Sequence, residues 1–293
     1  MRKDAEPVLP FRWDMSRREQ LGQLVPGNPR SALCHDEEFI ATAGKIIART
    51  AASRMVFVGR SPESWFDLLS GSFADEADAP LLTLLRYSNR SWGTASLARD
   101  HPRALRAMKT YLTSESLAPD AIIAAPAPIC FIDLVADGGT FEALCDLLCA
   151  WAEEAKQDVA ALRAKIAFLG ITSRTKNSPN TWRWYQAPSW AEKFSSRQLT
   201  SISISPELWD HLGNRQAKVT PSHPYWRWAD PVQAQPPRGE KTSQALERAM
   251  ALYDFGRSRA GRRALAEAIT RSREMSAPET RRLVAVLRRK TGN

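Results

Sequence analysis

The chain has 293 residues, of which 43% are hydrophobic and 25% are charged, and its net charge is +9. This composition is that of an ordinary folded protein with a sizeable core. No apolar run approaches the ~20 residues that a membrane span requires. The N-terminus is charged and interrupted by proline, and four cysteines are too few for a disulfide scaffold. These features exclude a membrane span and a small secreted protein, and they predict a cytoplasmic location.

Apolar segments alternate with helix-forming segments through the middle of the chain. The predicted strands are residues 54–59, 81–87, 128–133 and 166–171, and the predicted helices are residues 61–69, 96–112 and 141–165. This alternation is typical of an α/β fold with a mostly parallel sheet flanked by helices, which binds ligands at the carboxyl ends of its strands. We expect one α/β domain over residues 51–232, preceded by an N-terminal helical extension at residues 1–50.

The segment with the most specific chemistry begins in the third predicted strand and has the sequence ICFIDLVADGGTF from residue 129 to 141. Gly138 and Gly139 allow backbone N–H groups to converge on an anion, and the helix expected from Phe141 adds its dipole and its free N–H groups. Thr140 supplies a hydroxyl donor, and Asp133 at the strand end can bind the hydroxyls of an attached sugar. The pattern predicts a site for a sugar phosphate, and a simple tight turn is the alternative.

This segment resembles the signature of type I phosphoribosyltransferases, in which a hydrophobic strand leads into two adjacent acids, a spacer and Thr-Gly-Gly-Thr. The resemblance implies that Asp133, at the second acid, holds the ribose of phosphoribosyl diphosphate (PRPP) and is a catalytic residue and Mg²⁺ ligand. It implies that the loop formed by Gly138, Gly139, Thr140 and Phe141 cradles the 5′-phosphate. Ile132 stands at the first acid and Asp137 at the usual loop Thr or Ser. Asp137 is the second catalytic candidate.

A second segment supports the same resemblance. Residues Gly59, Arg60 and Ser61 follow the first predicted strand, where the family has a loop that contacts pyrophosphate. Arg60 is a suitable diphosphate ligand because guanidinium binds phosphate oxygens in pairs. The resemblance extends over about residues 51–230 and implies a phosphoribosyltransferase-like fold.

Tryptophan is concentrated in one region. Six of the ten tryptophans lie between residues 182 and 228, and Ser–Ile alternation at 201–204 predicts one strand there. In the family this region forms a variable hood over the acceptor, so residues 172–230 are the expected hood. The acceptor-binding candidates are Trp182, Arg183, Trp184, His223 and Trp226. The alternatives are tryptophans that pack a loop-rich subdomain and a loop histidine without a special role.

The C-terminal segment is basic. Residues 257–290 contain eleven Arg and Lys against three Glu, a net charge of +8. Helices are predicted at 245–255 and 260–273, and a third is expected to begin with Ser276 as its N-cap, after a linker at 231–239. The tail at 240–293 has two interpretations: an arm that binds nucleic acid, or a helical appendage that packs on a partner subunit of a homo-oligomer.

Cys145 and Cys149 are one helical turn apart and are able to share a metal, although no His or further Cys with zinc-like spacing lies nearby. Buried cysteines that behave as small hydrophobes are the alternative.

Three functions remain open. The first is an Mg²⁺-dependent phosphoribosyltransferase, a glycosyltransferase that binds PRPP or a related ribose 5-phosphate ligand and acts on an unknown acceptor. The second is a regulator that binds a phosphoribosyl ligand or nucleotide without turnover, which the missing acid at Ile132 favours. The third is a nucleic-acid-binding protein that uses the basic tail.

Overall fold

Five parallel strands form one sheet in the order β2–β1–β3–β4–β5. A computed structural model describes residues 11–87, 93–174, 184–186, 189–222 and 236–289. The strands are β1 Arg54–Val58, β2 Leu82–Leu85, β3 Ile129–Val135, β4 Ile166–Ser173 and β5 Leu199–Ile204. The α/β fold with a parallel sheet is therefore confirmed. The strand order reverses between β1 and β3, as in doubly wound folds.

Helices cover both faces of this sheet. Within the described residues they are α1 Glu37–Thr50, α2 Glu63–Ser72, α3 Thr94–Asp100, α4 Pro102–Ser114, α5 Pro119–Ala124, α6 Gly139–Glu154, α7 Val159–Ala164, α8 Pro206–Asp210, α9 Glu240–Arg257, α10 Arg259–Thr270 and α11 Pro278–Arg288. A π-helical turn, His211–Arg215, follows α8 directly. None of these helices is both long and apolar enough to cross a membrane.

The alternation of side chains along the strands produces two cores. Met55 and Phe57 of β1 face a cluster formed with α1, α2 and the C-terminal helices, whereas Val56 and Val58 face a cluster formed with α3 to α7. All seven residues of β3 are buried, as expected for the central strand of a sheet covered on both faces.

Two of the predicted helices are each divided in the structure. The helix predicted at 96–112 is two helices, because Pro102 lacks an N–H group and disfavours helical geometry at His101, whose φ is −138°. The helix predicted at 141–165 ends at Glu154, and Lys156 has a φ of +55°. The side chain of Asp158 then accepts hydrogen bonds from the N–H groups of the first turn of α7.

The basic tail is part of the same core as the sheet. All three of its predicted helices are present, although Ala277 rather than Ser276 is the N-cap of α11. Leu265, Ile269 and Leu283 belong to the cluster that packs on the sheet. Helix α1, which lies in the expected N-terminal extension, is also part of this core, because it packs on α10 and belongs to the same cluster.

Helices α2 and α9 approach each other closely through glycine. A Cβ atom on Gly71 would lie 2.0 Å from the carbonyl oxygen of Tyr253, and one on Gly256 would lie 2.3 Å from that of Leu68. Only glycine permits this spacing, so the two helix backbones are in direct contact.

Arginines of the tail bind the acidic turn that follows α2. Arg262 is buried and forms an ion pair with Glu76 at 2.5 Å. On the surface, Arg257 pairs with Asp75 at 2.8 Å and Arg289 with Asp78 at 2.7 Å. Part of the positive charge of the tail is therefore neutralised within the chain.

Candidate functional site

A cavity of about 260 Å³ lies at the carboxyl ends of β1 and β3. This is the point where the strand order reverses and where open α/β sheets bind their ligands. Three segments form its walls: the loop after β1, the loop between β3 and α6, and the end of α8 with the π-helical turn. The residues that line the cavity are Gly59, Arg60, Ser61, Tyr87, the run from 133 to 141, Trp209, Gly213 and Asn214.

The β3–α6 loop has the geometry expected of an anion site. Gly138 has a φ of +87° and is the N-cap of α6, which begins at Gly139. A residue with a side chain would be strained at this φ. The N-terminus of α6, with Thr140 in its first turn, therefore meets the cavity. The Phe141 side chain is fully buried, so only its backbone can reach a ligand.

The two acids on this wall differ in their surroundings. Asp133 is 7% exposed, and its Oδ1 accepts a hydrogen bond from the Leu134 N–H at 2.7 Å. Asp137 is exposed, and its Oδ1 accepts a hydrogen bond from the Gly139 N–H at 3.1 Å. Asp137, one residue before the N-cap, therefore occupies the N–H group of the first helical residue, which would otherwise be available to a phosphate.

The loop after β1 forms the opposite wall. Gly59, Arg60 and Ser61 line the cavity immediately before α2. Glu63, at the start of α2, is 2% exposed and accepts hydrogen bonds from the N–H groups of Val219 and Thr220, both at 2.9 Å. These bonds hold the chain around residue 219 beside the site.

Lys218 adds a second cation near Arg60. Burial, together with Arg248 and Arg60, lowers the pKa of Lys218 to about 8, against the opposing effect of the Glu63 and Asp133 carboxylates. The ammonium group donates a hydrogen bond to the carbonyl of Leu212. Lys218 is therefore positively charged at neutral pH, close to the charges of Arg60 and Asp133 but not itself part of the cavity lining.

The third wall lies within the expected hood, although the sequence singles out none of its residues as a ligand-binding candidate. Trp209, Gly213 and Asn214 come from α8 and the π-helical turn, and the Trp209 Nε1 is buried without a hydrogen-bond partner among the described residues. The Ser205-Pro206 pair signals a helix start, but no local signal brings this helix to the ends of β1 and β3. Its placement depends on tertiary packing. π-helical turns of this kind occur frequently at functional sites.

The expected hood is only partly described. Trp182, Arg183, His223 and Trp226 lie outside the described residues. Trp184 is fully buried and covers Gly170 of β4, where a Cβ atom would lie 2.2 Å from its Nε1. Its indole also packs against Phe141, with ring centroids 5.2 Å apart. The expectation that Trp184 stacks on an acceptor is therefore corrected: its ring is enclosed by the core and supports the β3–α6 loop from below.

The site fits a magnesium ion only in company with a ligand. Within the described part of the chain no three His, Cys, Asp or Glu side chains group to hold a metal. Asp133 and Asp137 nevertheless lie on one wall of the cavity. Mg²⁺ is commonly bound by one or two carboxylates together with substrate phosphates, so these two residues are suited to an ion that shares a diphosphate.

The chain was compared with known protein families, with curated proteins and with solved structures, and none of the three comparisons gave a match.

Proposed function

We propose that the protein binds PRPP or a related ribose 5-phosphate ligand in this cavity and transfers the phosphoribosyl group to an acceptor. One observation carries the proposal. The segments 59–61 and 133–141, which the same resemblance assigns to the diphosphate and to the ribose 5-phosphate, line one cavity at the switch point of the sheet. Sugar phosphates bind at such points because helix N-termini and loop N–H groups converge there.

Each wall has a distinct task in this proposal. The α6 N-terminus and Thr140 hold the 5′-phosphate, and Asp133 accepts hydrogen bonds from the ribose hydroxyls. Arg60 and Ser61 bind the diphosphate. The cavity volume of about 260 Å³ is near the lower end of the ~300–1,000 Å³ typical of ligand pockets. This size suits a sugar phosphate, so the acceptor would bind to residues outside the cavity.

Transfer would break the bond between ribose C1 and the diphosphate oxygen, and the bonding electrons would leave with the diphosphate. A lone pair of the acceptor's nucleophilic atom would form the new bond to C1. Arg60 is positioned to stabilise the negative charge that develops on the leaving group. Magnesium bound with the diphosphate would supply further charge neutralisation.

A second function, ligand binding without turnover, is favoured by Ile132. This residue stands at the position of the family's first acid, and it is fully buried in the core that faces α1 and α2. Asp133 is therefore the one acid that β3 contributes to the cavity wall. A regulator needs the pocket but not the complete catalytic set.

The test is calorimetric titration of the full chain with PRPP, with and without Mg²⁺. We expect Mg²⁺-dependent binding that T140A weakens and that D133N reduces to the level seen without Mg²⁺. T110A is the matched control, because Thr110 is an exposed threonine on α4. Absence of PRPP binding to the wild-type chain in both conditions would overturn the proposal.

Turnover separates the two functions. Pyrophosphate release in the presence of purine, pyrimidine or amine acceptors identifies a transferase. Mg²⁺-dependent binding of PRPP, with no pyrophosphate released in the presence of any of these acceptors, identifies a regulator. The basic tail is tested separately, because nucleic-acid binding would weaken steeply with added salt.

A further inference from the structure

Two thiols lie side by side on α6, outside the phosphoribosyl cavity. The Sγ atoms of Cys145 and Cys149 are 4.0 Å apart. Both line a second cavity of about 430 Å³ beside α6, together with Arg163, Trp190 and Lys193. Cys145 is buried and Cys149 is partly exposed. A route from solvent to a pair of sulfur atoms is therefore present.

The helix geometry opposes a disulfide between these thiols. Residues one turn apart on a helix have Cβ atoms about 5–6 Å apart, whereas a disulfide requires about 3.5–4.5 Å. A single ion can bridge the sulfurs without moving the backbone. Two metal–sulfur bonds of about 2.3 Å each span up to about 4.6 Å, and the observed separation of 4.0 Å falls within that reach.

The number of ligands limits the kind of ion. Thiolates select soft metals such as Cu(I), zinc and iron–sulfur clusters. Structural zinc and iron–sulfur clusters require four ligands, and the described residues group no third metal-ligating side chain with this pair. The helix provides two sulfur ligands. This number suits a monovalent ion that two thiolates coordinate fully, and Cu(I) is the biological example of such an ion.

The surroundings compensate the charge of such a complex. One monovalent cation with two thiolates has a net charge of −1. Arg163 and Lys193 line the same cavity, as do the carboxylates Glu142 and Asp146, of which Asp146 accepts a hydrogen bond from the Thr94 N–H. The Nε of Arg163 is buried without a hydrogen-bond partner among the described residues. The guanidinium of Arg163 is therefore available to offset the negative charge of the complex.

We propose that Cys145 and Cys149 form a two-coordinate site for a soft monovalent cation of the Cu(I) class. On binding, the cation forms one bond to each sulfur, and the protons of the two thiols pass to solvent. No electron is transferred. The site shares none of the residues assigned above to ligand binding, so its test is independent of the phosphoribosyl proposal.

The test is anaerobic titration of the full chain with Cu(I) in competition with the chromogenic chelator bicinchoninate. We expect one ion per chain that resists the competitor. C149S and C145S should each weaken binding at least about 100-fold, because the second thiolate acts at a high effective concentration. C34S is the matched control, since Cys34 is buried elsewhere and its Sγ donates to the Ala251 carbonyl, as a serine can.

A second measurement needs no variant. Cu(I) should protect both Cys145 and Cys149 of the wild-type chain from iodoacetamide, as located by mass spectrometry of the peptides. Complete transfer of Cu(I) from the wild-type chain to bicinchoninate would overturn the proposal. Undiminished binding by C149S, or labelling of both cysteines at the same rate with and without Cu(I), would also overturn it.

Discussion

Asp137 accepts a hydrogen bond from the backbone N–H of Gly139, at 3.1 Å, across the first turn of α6. A carboxylate thus caps the helix end at which the proposed ligand would place its phosphate. Two negative groups at one helix end repel each other unless a cation lies between them. The backbone N–H groups at the start of α6 are therefore arranged to bind an anion, but the Asp137 carboxylate lies beside them.

Replacement of this acid should strengthen phosphate binding. D137S introduces a residue type usual in the phosphate loop of type I phosphoribosyltransferases and removes the negative charge. We expect PRPP without Mg²⁺ to bind about tenfold more tightly, equivalent to ~1.4 kcal/mol, as measured by calorimetry. D158S is the matched control, because Asp158 caps α7 by an equivalent bond at 2.8 Å. Weaker binding by D137S with Mg²⁺ present would instead identify Asp137 as a metal ligand.

The affinity for an anionic ligand should fall as the pH rises through 8. Burial lowers the pKa of Lys218 to about 8, so its positive charge is present below that pH and is lost above it. PRPP binding at fixed Mg²⁺ should weaken between pH 7 and pH 9. K218M should bind more weakly at pH 7 and show a flatter profile. K241M, at an exposed position on α9, should follow the wild-type profile, and an unchanged slope in K218M would contradict the prediction.

The buried pair of Arg12 and Asp67 should make stability depend on pH. The guanidinium and the carboxylate are 2.6 Å apart and almost fully buried. Burial nevertheless raises the pKa of Asp67 to about 6, against the lowering effect of Arg12. The Asp67 carboxyl thus binds its proton more tightly in the folded chain than in the unfolded chain. The free energy of unfolding should therefore fall as the pH rises from about 4 towards the folded-state pKa.

Removal of the arginine should enlarge that dependence. R12M leaves a buried carboxylate without its partner, which costs about 3–5 kcal/mol at pH 7.5 and less at pH 5, where Asp67 is protonated. Urea unfolding at the two pH values measures the difference. R99M removes an exposed partner of Asp100 and should leave both curves unchanged. Equal losses for R12M at pH 5 and pH 7.5 would show that Asp67 does not titrate in this range.

The contact between Gly170 and Trp184 should be sensitive to one added methyl group. A Cβ atom at residue 170 would lie 2.2 Å from the Trp184 Nε1, so G170A must displace the indole. We expect a loss of about 1–3 kcal/mol in the free energy of unfolding, measured in urea. G27A, where a Cβ atom meets nothing within 4 Å, is the control. The double variant G170A/W184F should lose less free energy of unfolding than the sum of the losses in G170A and W184F. Additive losses would contradict a direct contact between Gly170 and Trp184.

The sequence predicts the parts of this site that depend on local chemistry. Apolar runs predict β1 and β3, and the glycines and Thr140 that follow β3 predict a loop that leads into a helix. The wall formed by Trp209 and Asn214 depends on how α8 crosses the ends of the strands, which no local pattern encodes. The sequence also fails to predict the role of Trp184. A tryptophan that packs in the core against Gly170 and one that stacks on a ligand look the same in the sequence.

The glycine contact between α2 and α9 has a consequence for how this chain can be divided. Helix α2 starts directly after the Arg60 loop, and its backbone rests on that of α9 at Gly71 and Gly256. A fragment that stops before residue 240 would lose the surface that holds α2 in place, and with it the alignment of the Arg60 loop. The smallest unit that could be moved into another protein with its ligand site intact therefore includes the C-terminal helices, far from the cavity in sequence.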